Sequence, residues 1–319
     1  MFKQKRHIFR SASLWIFVAL FIGSSLCWSA DDQKTADEAF NWERAFIRSN
    51  MYISQMFDHA AEKIDLFLSG SDKPTKRNTT SVRIENIIES SEGVPVSSVV
   101  HFNINLRLPN LEEYWQLKFS TYDEVEEQRQ RRGYLRQALP ETNYGASVGL
   151  FKKLGNIRTA FQPRIELRDP LKVSHSLRFD SSAKIDNYEL RPKLEFFANP
   201  DKGTGIFGAI NTNIILSNYY SLAIINEGEY QEKLHLFSSN SGLALGQSIS
   251  DHSSFSYNIF FSSNSRPAYH LDSYSFSVAW SEVIYKKILD YQVIPHLDFP
   301  LANSFKGSAG ITILLGLNF

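Results

Sequence analysis

The stretch from Ala309 to Phe319, AGITILLGLNF, has two chemically different faces when read as a strand. Side chains of an extended chain alternate from one side to the other. Ile311, Ile313, Leu315, Leu317 and Phe319 then share one side, and Gly310, Thr312, Leu314, Gly316 and Asn318 share the other. An apolar face that ends on an aromatic, backed by small and polar groups, suits a strand with hydrocarbon on one side and a polar interior on the other.

The same period-two pattern extends backwards to about residue 79. Val100, Phe102, Ile104, Leu106 and Leu108 alternate with His101, Asn103, Asn105 and Arg107, and Trp115, Leu117 and Phe119 alternate with Gln116, Lys118 and Ser120. Further alternating runs lie near 79–89, 143–152, 157–168, 172–182, 188–196, 205–217, 219–226, 233–249, 253–265, 270–285 and 291–299. With the closing run they predict about fourteen strands, twelve being possible. The 219–226 run is short, and 233–249 changes phase around Ser239, which predicts a bulge or an extra turn there. Every second connection is short, at 109–112, 153–156, 186–187, 218–219, 251–252 and 287–290, with longer ones at 122–142, 198–204, 264–270 and 301–307.

An alternating strand with a terminal Phe resembles the closing strand of Gram-negative outer-membrane β-barrels, where that residue serves as the assembly signal. The resemblance gives Phe319 this role and implies an all-β fold, a transmembrane antiparallel up-and-down barrel behind an N-terminal amphipathic helix. Barrel-assembly machinery, outer-membrane lipid and lipopolysaccharide are then the implied partners, and both termini fall in the periplasm. A secreted β-sandwich also alternates. Aromatic-rich apolar faces, such as Phe255, Tyr257, Ile259 and Phe261 or Tyr274, Phe276, Val278 and Trp280, favour the membrane. The faces behind them carry Ser256, Asn258 and Ser262, then Ser275, Ser277, Ala279 and Ser281.

Composition agrees with a barrel and excludes a helical membrane protein. Mean hydropathy is -0.26, and 34 basic residues balance 34 acidic ones. Beyond the leader no run approaches the 18 or so apolar residues that a spanning helix needs, whereas a barrel strand needs only every second residue apolar. Balanced charge also argues against nucleic acid as a partner. Tyr 14 and Phe 24 are numbers that suit aromatic girdles at both membrane interfaces.

Residues 1–29 read as an export signal. Lys3, Lys5, Arg6 and Arg10 precede the apolar run 14–26, and small residues place cleavage after Ser29 or Ala30. Cys27 is a poor lipidation site because the bulky Leu26 precedes it. Removing the leader removes the chain's only cysteine, so no disulfide, thiol chemistry or cysteine-bound metal is expected, and no cofactor. Residues 30–70 form a helical segment in which Trp42, Phe46, Ile53, Phe57, Ala60, Ile64 and Phe67 follow helical spacing. Three placements stay open: plugging the lumen, lying on the inner leaflet, or packing on a periplasmic partner. A polar linker, 71–78, joins it to the barrel at 79–319.

Chemistry-bearing residues concentrate on the inward set. Arg107, Lys118, Arg158, Arg164, Arg168, Arg178, Arg191 and Lys193 share it with Glu166, Asp180, Glu189 and Glu195. They predict either a basic pore wall favouring anionic solutes or a network of ion pairs filling the lumen. The loop 122–142 has an acidic half and then a basic half, with Glu127 and Arg131 at helical pairing distance. It suits an inward constriction, a lipopolysaccharide-binding loop, or a solvated run. Outer-membrane phospholipases resemble one another in a His-x-Ser-Asn-Gly motif and lipid A deacylases in a shorter His-x-Ser. Here His252-Ser253-Ser254 and His270-Leu271-Asp272-Ser273 are the nearest sequences, and the first lacks Asn-Gly. No catalytic residue is assigned, and the scattered His101, His175, His235 and His296 lack metal-ligand spacing.

Residues 40–319 also resemble a group of uncharacterised proteobacterial exported proteins. The likeness lies in Ile64-Asp65-Leu66-Phe67, Asn105-Leu106-Arg107-Leu108-Pro109-Asn110-Leu111, Leu190-Arg191-Pro192-Lys193-Leu194 and the segment 285–300. It implies topology alone. The expected function is a passive or selective channel for small solutes in the outer membrane, of open oligomeric state. The alternatives are a non-conducting envelope-interaction barrel and, behind it, a lipid-modifying enzyme.

Overall fold

The computed structural model describes residues 32–71, 73, 80–110, 115–127, 129, 142–284 and 287–319. The expected leader, Cys27 and nearly all of the 71–78 linker lie outside them. The chain divides into two units between Tyr52 and Ile53, inside the helix α1 (Asp32–Ser69).

The strands are β1 (Ser81–Ser91), β2 (Val94–Arg107), β3 (Trp115–Ser120), β4 (Gly145–Leu154) and β5 (Ile157–Glu166). Next, β6 runs Lys172–Ser181 and resumes after Ser182 as Ala183–Ile185, both pieces pairing with β7 (Tyr188–Asn199). The rest are β8 (Gly203–Ile215), β9 (Tyr220–Gln231), β10 (Leu236–Ser248), β11 (Ser253–Asn264), β12 (His270–Ile284), β13 (Leu289–Pro300) and β14 (Ser308–Asn318). A short helix α2 (Glu124–Glu127) lies between β3 and β4. Each strand pairs antiparallel with its sequence neighbours, and β1 pairs with β14 from Arg83↔Asn318 to Ser91↔Gly310. The result is a closed transmembrane-type barrel of fourteen strands. Beyond the strand, the Phe319 N–H donates to the Val82 carbonyl (2.9 Å) and the Val82 N–H to the Phe319 carbonyl (3.3 Å). One end of the barrel, here the terminal end, holds the start of β1 and the finish of β14. The longer loops sit at the other.

The two faces of the wall differ as the alternation requires. On β14 and β12, Ile311 and Phe276 face outward and are 39% and 41% exposed, while the inward Thr312 and Ser275 are 0% and 1% exposed. Outward aromatics gather in two bands. At the loop end, Tyr274 stacks on Phe299 with ring centroids 4.6 Å apart. At the terminal end, Phe255 meets Trp280 edge-on at 4.6 Å, and the Trp280 indole N–H donates to the Tyr291 hydroxyl (3.0 Å). Amphipathic rings of this kind occupy membrane interfaces.

Two expectations about irregularity are corrected. The charged, glycine-containing stretch after Asn226 is strand: Glu227, Glu229 and Gln231 continue β9 with buried inward side chains. No register shift occurs near Ser239, because β9 and β10 pair without interruption from Tyr220↔Gln247 to Gln231↔Leu236. The irregularities lie instead between Glu89 and Ser91 and between Ser262 and Ser263.

Closure carries its own ion-pair lattice at the terminal end. Arg83 of β1 donates from both terminal nitrogens to Asp290 of β13 (2.7 Å each), and from Nε to Glu85 (2.6 Å). Asn318 of β14 accepts from Arg83 (2.7 Å) and donates to Asp290 (3.0 Å). The guanidinium therefore passes over β14, at Gly316, where a Cβ would overlap both Arg83 and Asp290. Gly316→Val should break this crossing, at roughly 1.5–3 kcal/mol per lost charged hydrogen bond. The expected readout is a lower unfolding temperature of the compact band in heat-modifiability gels, with Gly316→Ala between wild type and Val.

Candidate functional site: a latched lumen

Polar residues on the inner wall and one inward-folded segment build the site. After β3, Ser120 Oγ donates to the Tyr122 carbonyl (2.7 Å), and Thr121 Oγ1 meets His101 Nδ1 of β2 (2.9 Å). The Glu126 N–H donates to Asp123 Oδ1 (3.2 Å), a side-chain cap for the first turn of α2. The chain then places Arg129 against β7. Its Nε and Nη2 donate to Glu195 Oε1 at 2.9 and 2.5 Å, and its guanidinium lies 3.9 Å from the centroid of the Phe197 ring. Arg129 is 6% exposed and Glu195 0%. Glu195 and Phe197 are two residues apart on one strand face, so β7 offers a carboxylate and an aromatic plane together, both of which a guanidinium favours. Phe197 can lie flat because its neighbour across the pair is Gly205, where a Cβ would overlap the ring.

A second arginine holds the base of this segment. Arg164 of β5 donates to Ser120 Oγ (2.9 Å) on the outgoing side and to the Asn143 carbonyl (2.9 Å) and Oδ1 (2.7 Å) on the returning side. The Asn143 N–H in turn donates to the Thr121 carbonyl (2.8 Å). The far side is tied to the turn after β7, where Glu126 pairs with Lys202 and Lys172 donates to both oxygens of Asp201 (2.6 Å). Lys172 holds the Asp201 carboxyl below its ordinary range. Between the folded-in segment and the wall, lined by Lys118, Gln162, Arg164 and Ser176, remains a space of about 20 Å³. That is room for a water molecule.

The expected inward charges are distributed unevenly. Arg164, Glu166 and Glu195 are buried; Lys118, Arg168, Arg178, Asp180, Glu189 and Lys193 are half-buried; Arg107, Arg158 and Arg191 are exposed. Four pairs join neighbours on one strand face: Arg178 with Asp180 (2.8 Å), Arg191 with Glu189 (2.8 Å), Arg168 with Glu166 (3.9 Å) and Lys193 with Glu195 (3.9 Å). The expected pairing of Glu127 with Arg131 lies outside the described residues. Sequence reasoning did not single out Arg129, nor the buried carboxylates Glu227 and Glu229. Of these, Glu227 accepts from Asn211 (3.1 Å) and Glu229 from Gln231 (2.5 Å). Only the period-two pattern running on through Glu227 and Glu229 signalled them.

Apolar side chains also enter the lumen. Ile87, Leu314, Ile294, Ala279, Phe260 and Ile225, inward on β1, β14, β13, β12, β11 and β9, form one cluster at 6% exposure or less. His296 lies beside it, with Nδ1 2.6 Å from Asp298. Among the described residues no group of His, Cys, Asp and Glu has the arrangement of a metal site. His252 is exposed in the turn before β11, and its N–H donates to Ser250 Oγ (3.2 Å).

No family model and no curated protein matches the sequence. Solved structures do. A loop L8 deletion mutant of OmpT, an outer membrane protein of Vibrio cholerae, shares 6% identity over 76% of this chain and 99% of its own, with a TM-score of 0.47. The KdgM porin in complex with disordered oligogalacturonate shares 6% over 74% and 99%, with a TM-score of 0.38. OccK11 of Pseudomonas aeruginosa shares 8% over 76% and 95%, with a TM-score of 0.44. The fold, a closed antiparallel β-barrel of fourteen strands, stands on the chain's own strand pairing. Overlap this loose says nothing about role.

Arg164→Met should release both sides of the segment's base. Losing charged hydrogen bonds worth about 1.5–3 kcal/mol raises local opening about tenfold or more. Trypsin cleavage after Arg129 in the folded protein should accelerate accordingly, with the rest of the barrel intact. Asp201, whose carboxyl is depressed, adds stability above its ordinary value of 3.8 that is lost as pH falls further. Being largely exposed, the pair contributes at most about 1 kcal/mol. In Lys172→Met the fall in unfolding temperature of the compact band on acidification below about pH 4 should therefore be smaller than in wild type.

Proposed function

We propose that the protein is an outer-membrane channel for small solutes, held narrow by the segment that Arg129 latches onto Glu195. A charged side chain carried over the inner wall from the β3–β4 connection to a buried carboxylate on β7 supports this reading most directly. A barrel of about fourteen strands lies between the filled barrels of about eight and the water-filled porins of sixteen to eighteen, so an inward segment decides whether a path remains. In this reading the loop end faces outward and both termini the periplasm, with export through the 1–29 leader and delivery by the assembly machinery through Phe319. The basic excess of the wall is small: four of its eight inward cations have a carboxylate beside them on the same strand, and Glu227 and Glu229 add negative charge. Little preference for anions follows.

A second reading is a non-conducting envelope-interaction barrel, and the dry cluster around Phe260 and Ile294 favours it. Planar-bilayer recording separates the two. Under the channel reading the wild-type protein gives small or rare openings, and Arg129→Ala or Glu195→Gln raises conductance or open time severalfold. Silence from wild type and both variants, all shown folded by heat-modifiability, would leave the non-conducting barrel.

A further inference from the structure

The second half of α1 meets the barrel at a particular place. Asp58 Oδ1 accepts from the Thr80 N–H (3.2 Å), just before β1. Asp65 Oδ2 accepts from both the N–H and the side-chain amide of Asn110 (2.9 Å each), just after β2. Asp65 and Ala61 are fully buried. The strand residues buried nearby belong to the outward face: Val82, Leu106 and Leu108 are 3–5% exposed, where Ile206 and Leu297 elsewhere on that face are 46% exposed. This stretch of helix therefore covers the outside of the wall at the terminal end.

At about 100° per residue, the helix from Ile53 to Ser69 has three arcs. Asp58, Ala61 and Asp65 form the arc on the barrel. Met56, Ala60 and Phe67 form the opposite arc, edged on its polar side by the exposed Lys63, whose stem can lie along lipid while its ammonium reaches water; Met56 and Phe67 are 52% and 85% exposed. Ile53, Phe57 and Ile64, half-buried, connect the second arc to the first along one flank, while Gln55, His59 and Glu62 occupy the other flank. The apolar arc thus runs on from the lipid-facing wall without a polar break, and the polar flank turns away from it. A helix shared between protein, hydrocarbon and water has this order of faces.

We propose that residues 53–69 are an interfacial anchor. They are strapped to the outer wall by Asp58 and Asp65, with Met56, Ala60 and Phe67 seated in the phospholipid of the adjoining leaflet. The inference rests on the barrel standing in a bilayer and is independent of whether the lumen conducts.

Spin labels on the full chain test it. Met56→Cys, Phe67→Cys, His59→Cys and, on the barrel's lipid face, Ile311→Cys are made in a Cys27→Ser background. Each is reconstituted into phosphatidylethanolamine–phosphatidylglycerol vesicles and read for collision with oxygen, which partitions into lipid, and with a water-soluble nickel chelate. Positions 56 and 67 should favour oxygen severalfold, as 311 does, while 59 favours nickel. Nickel preference at 56 and 67 with oxygen preference at 311 would overturn the anchor alone. Protection from both reagents at 56 and 67 would overturn it in favour of a protein partner or a second copy. Nickel preference at 311 would remove the bilayer reading itself.

Discussion

Hydrocarbon offers no partner to a peptide group, so every backbone N–H and C=O of a sheet within it must be paired inside the sheet. Here the requirement comes down to the pairing of β1 with β14, because every other strand is hydrogen-bonded to its sequence neighbours. The nine pairs from Arg83↔Asn318 to Ser91↔Gly310, extended by the reciprocal bonds of Val82 and Phe319, remove the two edges an open sheet would have. The alternation of faces follows from the same circle, since each residue has lipid on one side or lumen on the other.

The interior resolves a conflict that closure creates. Fourteen strands enclose more space than side chains fill unaided, and the charges lining it lose water wherever the space is narrowed. Pairing neutralises them cheaply on a single strand, as with Arg178 and Asp180 or Arg191 and Glu189. Glu195 is different. It is fully buried, with Lys193 of its own strand at 3.9 Å, and the counter-charge hydrogen-bonded to it comes from the segment between β3 and β4. Removing one partner of a buried pair leaves an uncompensated charge, which makes this contact a latch as well as a filler.

The wall was legible in the sequence and its contents were not, for a physical reason. Period two is imposed by the backbone, so strands such as 253–264 and 270–284, with their aromatic outer faces, declared themselves. The expected 219–226 run stops short of Glu227-Gly-Glu-Tyr-Gln, although the alternation continues through it; inside the barrel Asn211 and Gln231 supply hydrogen bonds that water would otherwise give. Alternation places Arg164 and Glu195 inward, but it carries no information on what meets them. Arg164, expected on the lumen side in a pore wall or an ion-pair network, joins the two ends of a loop, and Arg129 reaches a partner 66 positions along the chain. Asp65 and Asn110 belong to two of the four stretches that carry the proteobacterial resemblance, yet only the folded chain brings them together.

The route of Arg83 over Gly316 ties together strands that arrive at opposite times. It joins the first strand to the thirteenth while straddling the fourteenth, so a chain emerging in order has no way to make it early. An unfinished wall, or one whose last member is out of step by a residue, puts a side chain where the glycine should lie and leaves two charges without each other. The contact thus reports on the completeness and alignment of the whole circle at a single point, and a barrel halted before its last step has no substitute for it.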